Sequence, residues 1–512
     1  MFGSGNVFLA DRKKTKAEME SRVKKAAAAL SSLGIKPDDS VALFLRNDFA
    51  HIEARYGASL LGAYLVCMNW HFKAEEAEYI LQDSNAKAIV IHADLLPQIE
   101  HGIPDNVEVL VAPTPPEIRD AYRLDPAICE VPVGRRAWDK FIESFDEWDR
   151  PPERPRGIML YTSGTTGKPK GVQRPPRTPE QEKAYKVAVG LSHGRRPGMR
   201  SLLCGPCYHA PLDVQVTLAL EEEDADLIIQ PRFDAEGFLK LVEKHGVTHA
   251  HMVPVMFVRL LNLPEDVRNK YDVSSLEHII HGAAPVSVEV KRAMIEWWGP
   301  VLVEYYGGTE IGVVGLANSE QWLKKPGTVG PPPPNAVVKI LDEDGKELRP
   351  GEVGEIYTGN PALNDFTYRG REEERKAIER DGLVTLGDMG YKDEDGWLFI
   401  SDRRKDMIIS GGVNIYPAEI EGVLITMPGV AECAVFGVPD REFGESIMAV
   451  VETADGVTLS EDEVRSFLLR HLANYKIPKH VEFRKDLPRE ETGKIFKRQL
   501  RDPYWKAAGR AI

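Results

Sequence analysis

Between residues 15 and 91 short apolar runs alternate with amphipathic ones, and this alternation constrains the fold more than any other feature of the sequence. Thr15 and Glu18 form a capping box, in which hydroxyl and carboxylate each accept a backbone N–H at a helix start. Met19, Val23, Ala26, Ala27, Leu30 and Leu33 follow at helical spacing, and Gly34 suits the C-terminal cap. Residues 40–45 predict a strand, 49–62 a helix, 63–67 a strand, 74–82 a helix and 87–91 a strand. Short strands that are apolar on both faces require a parallel sheet covered by helices. The theme returns with strands at 227–229, 247–253 and 276–281 and helices at 235–244 and 288–297. No repeat period marks a solenoid.

Near residue 327 the pattern changes. Pro331, Pro332, Pro333 and Pro334 suit a stiff polyproline connection between subdomains. Beyond them 337–341, the turn at Asp344-Gly345, 355–358, a turn at 394–396 and the strand 397–400 read as antiparallel β structure. A charged cluster, Asp402-Arg403-Arg404-Lys405-Asp406, then precedes a compact α/β pattern. The 512 residues would make two to four folding units at about 100–200 residues each. The main boundary is placed at this cluster, giving 1–401 and 402–512.

Net charge excludes one class of function. With 79 acidic against 65 basic residues, a net charge of -14, the chain is a poor binder of nucleic acid. No apolar run approaches the ~18 residues of a membrane span, and the first residues lack the apolar core of a signal peptide. Five cysteines make no disulfide framework. The expectation is a cytoplasmic protein.

The densest chemistry lies in Tyr161-Thr162-Ser163-Gly164-Thr165-Thr166-Gly167-Lys168-Pro169-Lys170-Gly171, after an expected strand at 157–160. Glycines let backbone amides converge on one ligand, hydroxyls add donors and two lysines add charge, a combination suited to polyphosphate. It is not the G-x-x-x-x-G-K-[ST] loop, because Pro169 follows Lys168 where a Mg²⁺-binding hydroxyl is required.

This loop resembles the signature of the adenylate-forming superfamily, which contains acyl- and aryl-CoA synthetases, peptide-synthetase adenylation domains and luciferases of the firefly type. Tyr306-Gly307-Gly308-Thr309-Glu310, Gly387-Asp388, the run from Asp402 to Glu421 and Glu491-Thr492-Gly493-Lys494-Ile495 resemble its other core motifs, in order. The resemblance implies a large N-terminal domain of layered α/β subdomains with a small β-barrel-like part, followed by a small mobile α+β C-terminal domain. It implies an acid–CoA ligase: a carboxylate attacks the α-phosphate of MgATP, and coenzyme A displaces AMP from the acyl-AMP.

The resemblance also assigns roles. Ser163, Gly164, Thr165, Thr166, Gly167 and Lys168 would hold the β/γ-phosphates. Tyr306 would stack on adenine beside Gly282, Ala283 and Ala284, with Gly307 next to it. Thr309 would contact the α-phosphate and Glu310 bind Mg²⁺. Asp388, helped by Arg403, would accept the ribose hydroxyls. Lys494 would bridge α-phosphate and acid. Gly411 and Gly412 would line the pantetheine tunnel after the small domain rotates about Lys405.

Cys204-Gly205-Pro206-Cys207 matches a thioredoxin-type redox motif, but Tyr208-His209-Ala210-Pro211 does not read as the helix start such a pair uses. Small residues beside the acid pocket are the expectation, with His209 gating or lining it. His249 and His251 share one strand face without an acidic or Cys partner nearby at ligand spacing, and read as core or pocket-wall imidazoles. Tyr208, Val214, Met252, Met256, His281, Gly308 and Gly312 complete the expected pocket. None is cationic, so the acid should be a hydrophobic monocarboxylate, fatty or aryl-alkyl. The expected partners are this acid, ATP and coenzyme A, with a homodimer allowed. The resemblance implies that an N-terminal segment common in the family is short or absent here. Competing readings are loading of a carrier protein, luciferase-like oxygenation, thiol–disulfide exchange at Cys204 and Cys207, and a non-catalytic scaffold.

Overall fold

The computed structural model describes residues 2–162, 169–334, 336–360, 364–411, 413–489 and 495–507. They divide into two compact units. The first comprises Met1–Met252, Pro264–Ile280 and Pro361–Ala377; the second comprises Val253–Leu263, His281–Asn360 and Ile378–Ile512.

In the first unit the apolar runs become a five-stranded parallel sheet in the order Tyr64–Cys67, Ser40–Phe44, Ala86–His92, Glu108–Ala112, Arg136–Ala137. Ile89, Val90, Ile91 and Val111 are wholly buried, as the unbroken apolar runs require. Helix Lys16–Ser32 starts at the capping box: Thr15 Oγ1 accepts from Glu18 N–H at 3.1 Å, and Glu18 Oε2 accepts from Thr15 N–H at 2.7 Å. Gly34, at φ +81, follows its end in the left-handed conformation. This helix packs on Phe49–Leu60 so closely that a Cβ on Gly57 would lie 2.9 Å from Ala26 Cβ.

A second group of parallel strands in this unit runs His249–Met252, Arg200–Leu203, Asp226–Ile229, Asn6–Leu9, with Arg12–Thr15 antiparallel on its edge. A third sheet joins Leu160–Thr162, Lys170–Gln173 and Thr367–Tyr368, all antiparallel. The strand expected at 157–160 therefore sits later, and Ile158 makes only an isolated bridge to Leu65.

The second unit holds the hairpin Leu302–Gly308 and Gly312–Asn318. It also holds an antiparallel sheet ordered Thr328–Gly330, Leu398–Arg403, Leu383–Lys392, Gly354–Gly359, Val337–Leu341. Leu398–Arg403 outruns the expected 397–400 and takes in Asp402 and Arg403, because its ladder to Leu383–Lys392 continues to the pair Asp388–Arg403. The C-terminal sheet runs Val413–Ile415, Ile408–Ser410, Gly444–Thr453, Val430–Asp440, with His480–Phe483 parallel to Gly444–Thr453. Helices Pro417–Leu424 and Glu461–Leu469 bury Ile420, Leu424, Val464 and Leu468 in its core, and Lys497–Ala507 closes the described chain.

Candidate active site

In the first unit the polyphosphate-type loop connects two strands of one hairpin. Tyr161 faces Gly171 and Thr162 faces Lys170 in register. A Cβ on Gly171 would stand 3.0 Å from Tyr161 Cζ, so the ring lies against the glycine. The Tyr161 hydroxyl donates to Asp83 Oδ2 at 2.7 Å, and the Tyr79 hydroxyl donates to Pro169 O at 2.9 Å. Both ends of the loop are thus pinned by helix Ala74–Asp83. Ser163, Gly164, Thr165, Thr166, Gly167 and Lys168 lie outside the described residues, as do Gly412 and Lys494.

Lys170, counted with Lys168 as a source of positive charge, has another task. Its ammonium pairs with Glu374 Oε2 at 2.5 Å and lies 4.9 Å over the Tyr368 ring, with the residue 7% exposed. A lysine committed to that pair anchors the hairpin and offers no charge to a ligand.

Cys204-Gly205-Pro206-Cys207 follows the carboxyl end of a parallel strand, where open α/β sheets present their ligand-binding loops. Contrary to expectation, a helix does start here: Ala210–Glu221, with His209 as N-cap and Pro211 in its first turn. The sequence reading failed because Pro at a first turn looks like a breaker when no capping hydroxyl precedes it. Burial nonetheless opposes thiolate formation. It pushes the Cys204 thiol up to about 12 and that of Cys207 well above its ordinary value. Cys204 Sγ donates to His251 O at 3.3 Å. The Asn47 amide ties the loop down, donating to Gly205 O at 2.7 Å and accepting from Cys207 N–H at 2.9 Å.

Tyr208 is buried with its ring edge-on to Trp70, centroids 4.8 Å apart, and lies 4.5 Å from the His209 ring. Trp70 was missed by the sequence analysis. Its signal was position, since it follows the carboxyl end of the strand Tyr64–Cys67. Val214 is half-buried and Met252 wholly buried in the same unit. His249 is structural: its ring meets Thr248 Oγ1 at 2.7 Å and Gly194 O at 2.8 Å and stacks on His278.

Burial lowers His249 and His193 to about 4 and His251 to about 3, the neighbouring imidazoles adding to the effect. An unfolded imidazole titrates near 6.5. Between about 6.5 and 4 the unfolded chain therefore binds protons that the folded chain excludes, so these groups make stability fall as pH falls through that window. Denaturant unfolding at pH 7, 6 and 5 should show this decline, with a shallower one in a His249→Gln, His251→Gln variant. An unchanged slope in the variant would refute the assignment.

In the second unit the residues expected at the adenosine converge. The Tyr306 hydroxyl donates to Asp388 Oδ2 at 2.7 Å, and Arg403 Nε lies 3.4 Å from Asp388 Oδ1. Burial, with the Asp388 carboxylate beside it, raises the Tyr306 hydroxyl far above its usual range, so it remains a donor. The tyrosine is held by the strand Leu302–Gly308, the aspartate by Leu383–Lys392 and the arginine by Leu398–Arg403. A register shift after Tyr306 turns the chain into Gly307 and Gly308. Gly307 is demanded by the hairpin itself, since a Cβ there would stand 2.2 Å from Gly312 O. Thr309 and the buried Glu310 lie in the turn, followed by Gly312 at φ +68.

Gly282 lies against Tyr305, where a Cβ would meet the ring and the carbonyl oxygen at 2.6 Å. Ala283 adopts φ +67, a left-handed conformation uncommon for a residue with a side chain. Such strain persists where the surroundings impose it, often at ligand sites. Met256 and His281 are buried in this unit, His281 edge-on to Phe257 at 5.1 Å. Lys405 is exposed, and Gly411, at φ +58, donates its N–H to Phe443 O at 2.8 Å.

Residues 5–365 match the family described as AMP-binding enzyme, and residues 419–494 match the AMP-binding enzyme C-terminal domain. The chain belongs to the AMP-binding enzyme family. This AMP-binding enzyme is 34% identical over 494 residues to a feruloyl-CoA synthase of an Amycolatopsis species, covering 95% of this chain and 93% of the relative. It is 33% identical over 504 residues to a long-chain-fatty-acid–CoA ligase of Bacillus subtilis, covering 93% and 87%. The ATP-bound crystal structure of MatB from Rhodopseudomonas palustris superposes with a TM-score of 0.81 at 28% identity, covering 98% of this chain and 96% of that one. The mixed α/β architecture of this AMP-binding enzyme is therefore that of the adenylate-forming enzymes. Among its described residues no helix is long and apolar enough to cross a membrane.

Proposed function

We infer that this AMP-binding enzyme is an ATP-dependent acid–CoA ligase. It joins a hydrophobic carboxylic acid to AMP with loss of pyrophosphate, then passes the acyl group to coenzyme A with loss of AMP. The observation that carries the reading is the Tyr306–Asp388–Arg403 arrangement within a chain matched almost end to end by CoA-forming relatives. Asp388 Oδ1 accepts the ribose hydroxyls while its other oxygen keeps the Tyr306 bond, which fixes the ring whose face takes adenine. Thr309 serves the α-phosphate. Ser163, Thr165, Thr166 and Lys168 serve the β- and γ-phosphates, and Lys494 bridges acid and α-phosphate.

Glu310 suits Mg²⁺. It is a hard oxygen donor on a glycine-flanked turn, and Mg²⁺ takes one or two carboxylates and completes its shell with phosphate oxygens and water. The ion supplies charge neutralisation on the phosphates. The protein's own part is to bring two anions together and to present donors where charge develops.

For the acid, Trp70, Tyr208, Val214 and Met252 of the first unit supply apolar surface. None pairs with a second carboxylate, which favours a fatty or aryl-alkyl monocarboxylate. Acid-dependent exchange of pyrophosphate into ATP across straight-chain and aryl-alkyl acids, followed by AMP release on adding coenzyme A, tests the reading. Absence of exchange with every acid overturns adenylation. Exchange without AMP release or thioester overturns the ligase.

A further inference from the structure

The pivot assigned to Lys405 rests on the function just proposed, and the contacts around it change partner at that residue. Before it the chain is fastened mainly to the antiparallel sheet, although Asp402 Oδ2 also accepts from Ala418 N–H at 2.8 Å. Arg403 pairs with Asp388, Arg404 N–H donates to Gly387 O at 2.7 Å, and the Arg404 guanidinium reaches Glu355 at 3.0 Å. After it, besides the bonds that Asp406 and Met407 N–H donate back to Arg403 O at 2.9 and 3.1 Å, the side-chain fastening passes to the C-terminal helix. Arg501 Nη1 donates to Lys405 O at 3.2 Å and lies 3.6 Å from Asp406 Oδ1, its side chain 14% exposed. That helix, Lys497–Ala507, is itself tied to the C-terminal sheet and its neighbour. Lys497 pairs with Glu421 at 2.8 Å, the Tyr504 hydroxyl donates to Glu482 at 2.6 Å, and Trp505 Nε1 donates to Gly437 O at 3.0 Å.

We propose that Arg501 is a positioning residue that clamps the peptide between Lys405 and Asp406 to the C-terminal helix, so that domain rotation between the half-reactions is confined to the two backbone torsions of Lys405. The covalent geometry supports this assignment. Turning φ or ψ of Lys405 carries its carbonyl along with every later residue, so the Arg501 contact travels with the moving body while the Arg404–Gly387 bond stays behind. Without the clamp, torsion spreads into residues 406 and 407, and the body samples orientations that serve neither half-reaction. Arg501 touches no reacting atom in this scheme. It acts through the pivot.

The test uses the full-length protein. Arg501→Met keeps the buried stem and removes the donors. It should lower both pyrophosphate exchange and thioester formation from pre-made acyl-AMP about ten-fold. Amide hydrogen exchange should accelerate in residues 404–408 and stay unchanged across Val430–Asp440 and Gly444–Thr453. Arg501→Lys keeps a cationic donor and should restore both rates to within about three-fold; it decides the matter if the Met variant does not fold. Unchanged exchange at 404–408, acceleration spread over the whole C-terminal sheet, or no recovery with Lys overturns the proposal. Wild-type protein without acid-dependent exchange would instead overturn the ligase reading and leave the hydrogen-exchange comparison to judge the clamp.

Discussion

A Lys494→Ala variant should lose acid-dependent pyrophosphate exchange by about 10²–10³-fold, the usual consequence of removing one preorganised donor from a charged transition state. The same variant should still convert pre-formed acyl-AMP and coenzyme A to thioester within about three-fold of wild type. The asymmetry follows from the chemistry. In the first half-reaction an anionic carboxylate approaches an anionic α-phosphate, and a cation bridging both offsets their repulsion where charge accumulates. In the second a thiol attacks a neutral acyl carbon and AMP departs, so a lysine placed for the first step has no partner in the second. Measuring the two halves separately is decisive. Comparable losses in both would mean that Lys494 supports the fold or serves both steps, and the two-orientation scheme would fall with it.

Replacing Asp388 by Ala should raise the KM for ATP about 10–100-fold, the range set by charge-assisted hydrogen bonds of about 1.5–3 kcal/mol. Two losses combine. The ribose loses its acceptor, and the Tyr306 hydroxyl, which now donates to Asp388 Oδ2 at 2.7 Å, is left without that bond in a buried setting. Arg403 also loses the carboxylate 3.4 Å away that balances its charge. Tyr306→Phe separates these contributions, because it keeps the ring and removes only the bond to Asp388. Its KM should rise no more than about five-fold. If the Phe variant is as damaged as the Ala variant, Asp388 acts by orienting the tyrosine alone and the ribose role is wrong.

How much of this was legible depended on how far apart the cooperating residues stand in the chain. The parallel strands were readable because residues such as Ile89, Val90 and Ile91 must be apolar on both faces, and the first helix because Thr15 and Glu18 announce it locally. Element ends were less readable. Leu398–Arg403 runs on through charged residues because a ladder to Leu383–Lys392 carries it, and a ladder leaves no local trace. Lys170 looked like a ligand for phosphate because its partner Glu374 is remote in sequence. Asp388 and Arg403 were found by resemblance to family motifs, whereas Trp70 and Arg501 carried no motif at all. The Cys204–Cys207 pair was the most conspicuous local pattern, and burial, which raises both thiols, opposes the thiolate a redox couple uses.

The hairpin that carries the polyphosphate-type loop has a further consequence. Lys170–Gln173 is a strand, so the chain does not run from the loop into a helix whose N-terminal dipoles would face an anion there. In the proposed scheme the triphosphate end of ATP would be gripped by individual amide, hydroxyl and ammonium donors, while the nucleoside end would rest on a stacked ring and a buried carboxylate. Added salt screens the first grip and barely touches the second. Inhibition by pyrophosphate should therefore weaken steeply with ionic strength while inhibition by adenosine holds nearly constant; parallel weakening of the two would contradict this division. An enzyme so built would let its inorganic product go easily and keep its acyl nucleotide, which is the order of departure that a two-step ligation needs.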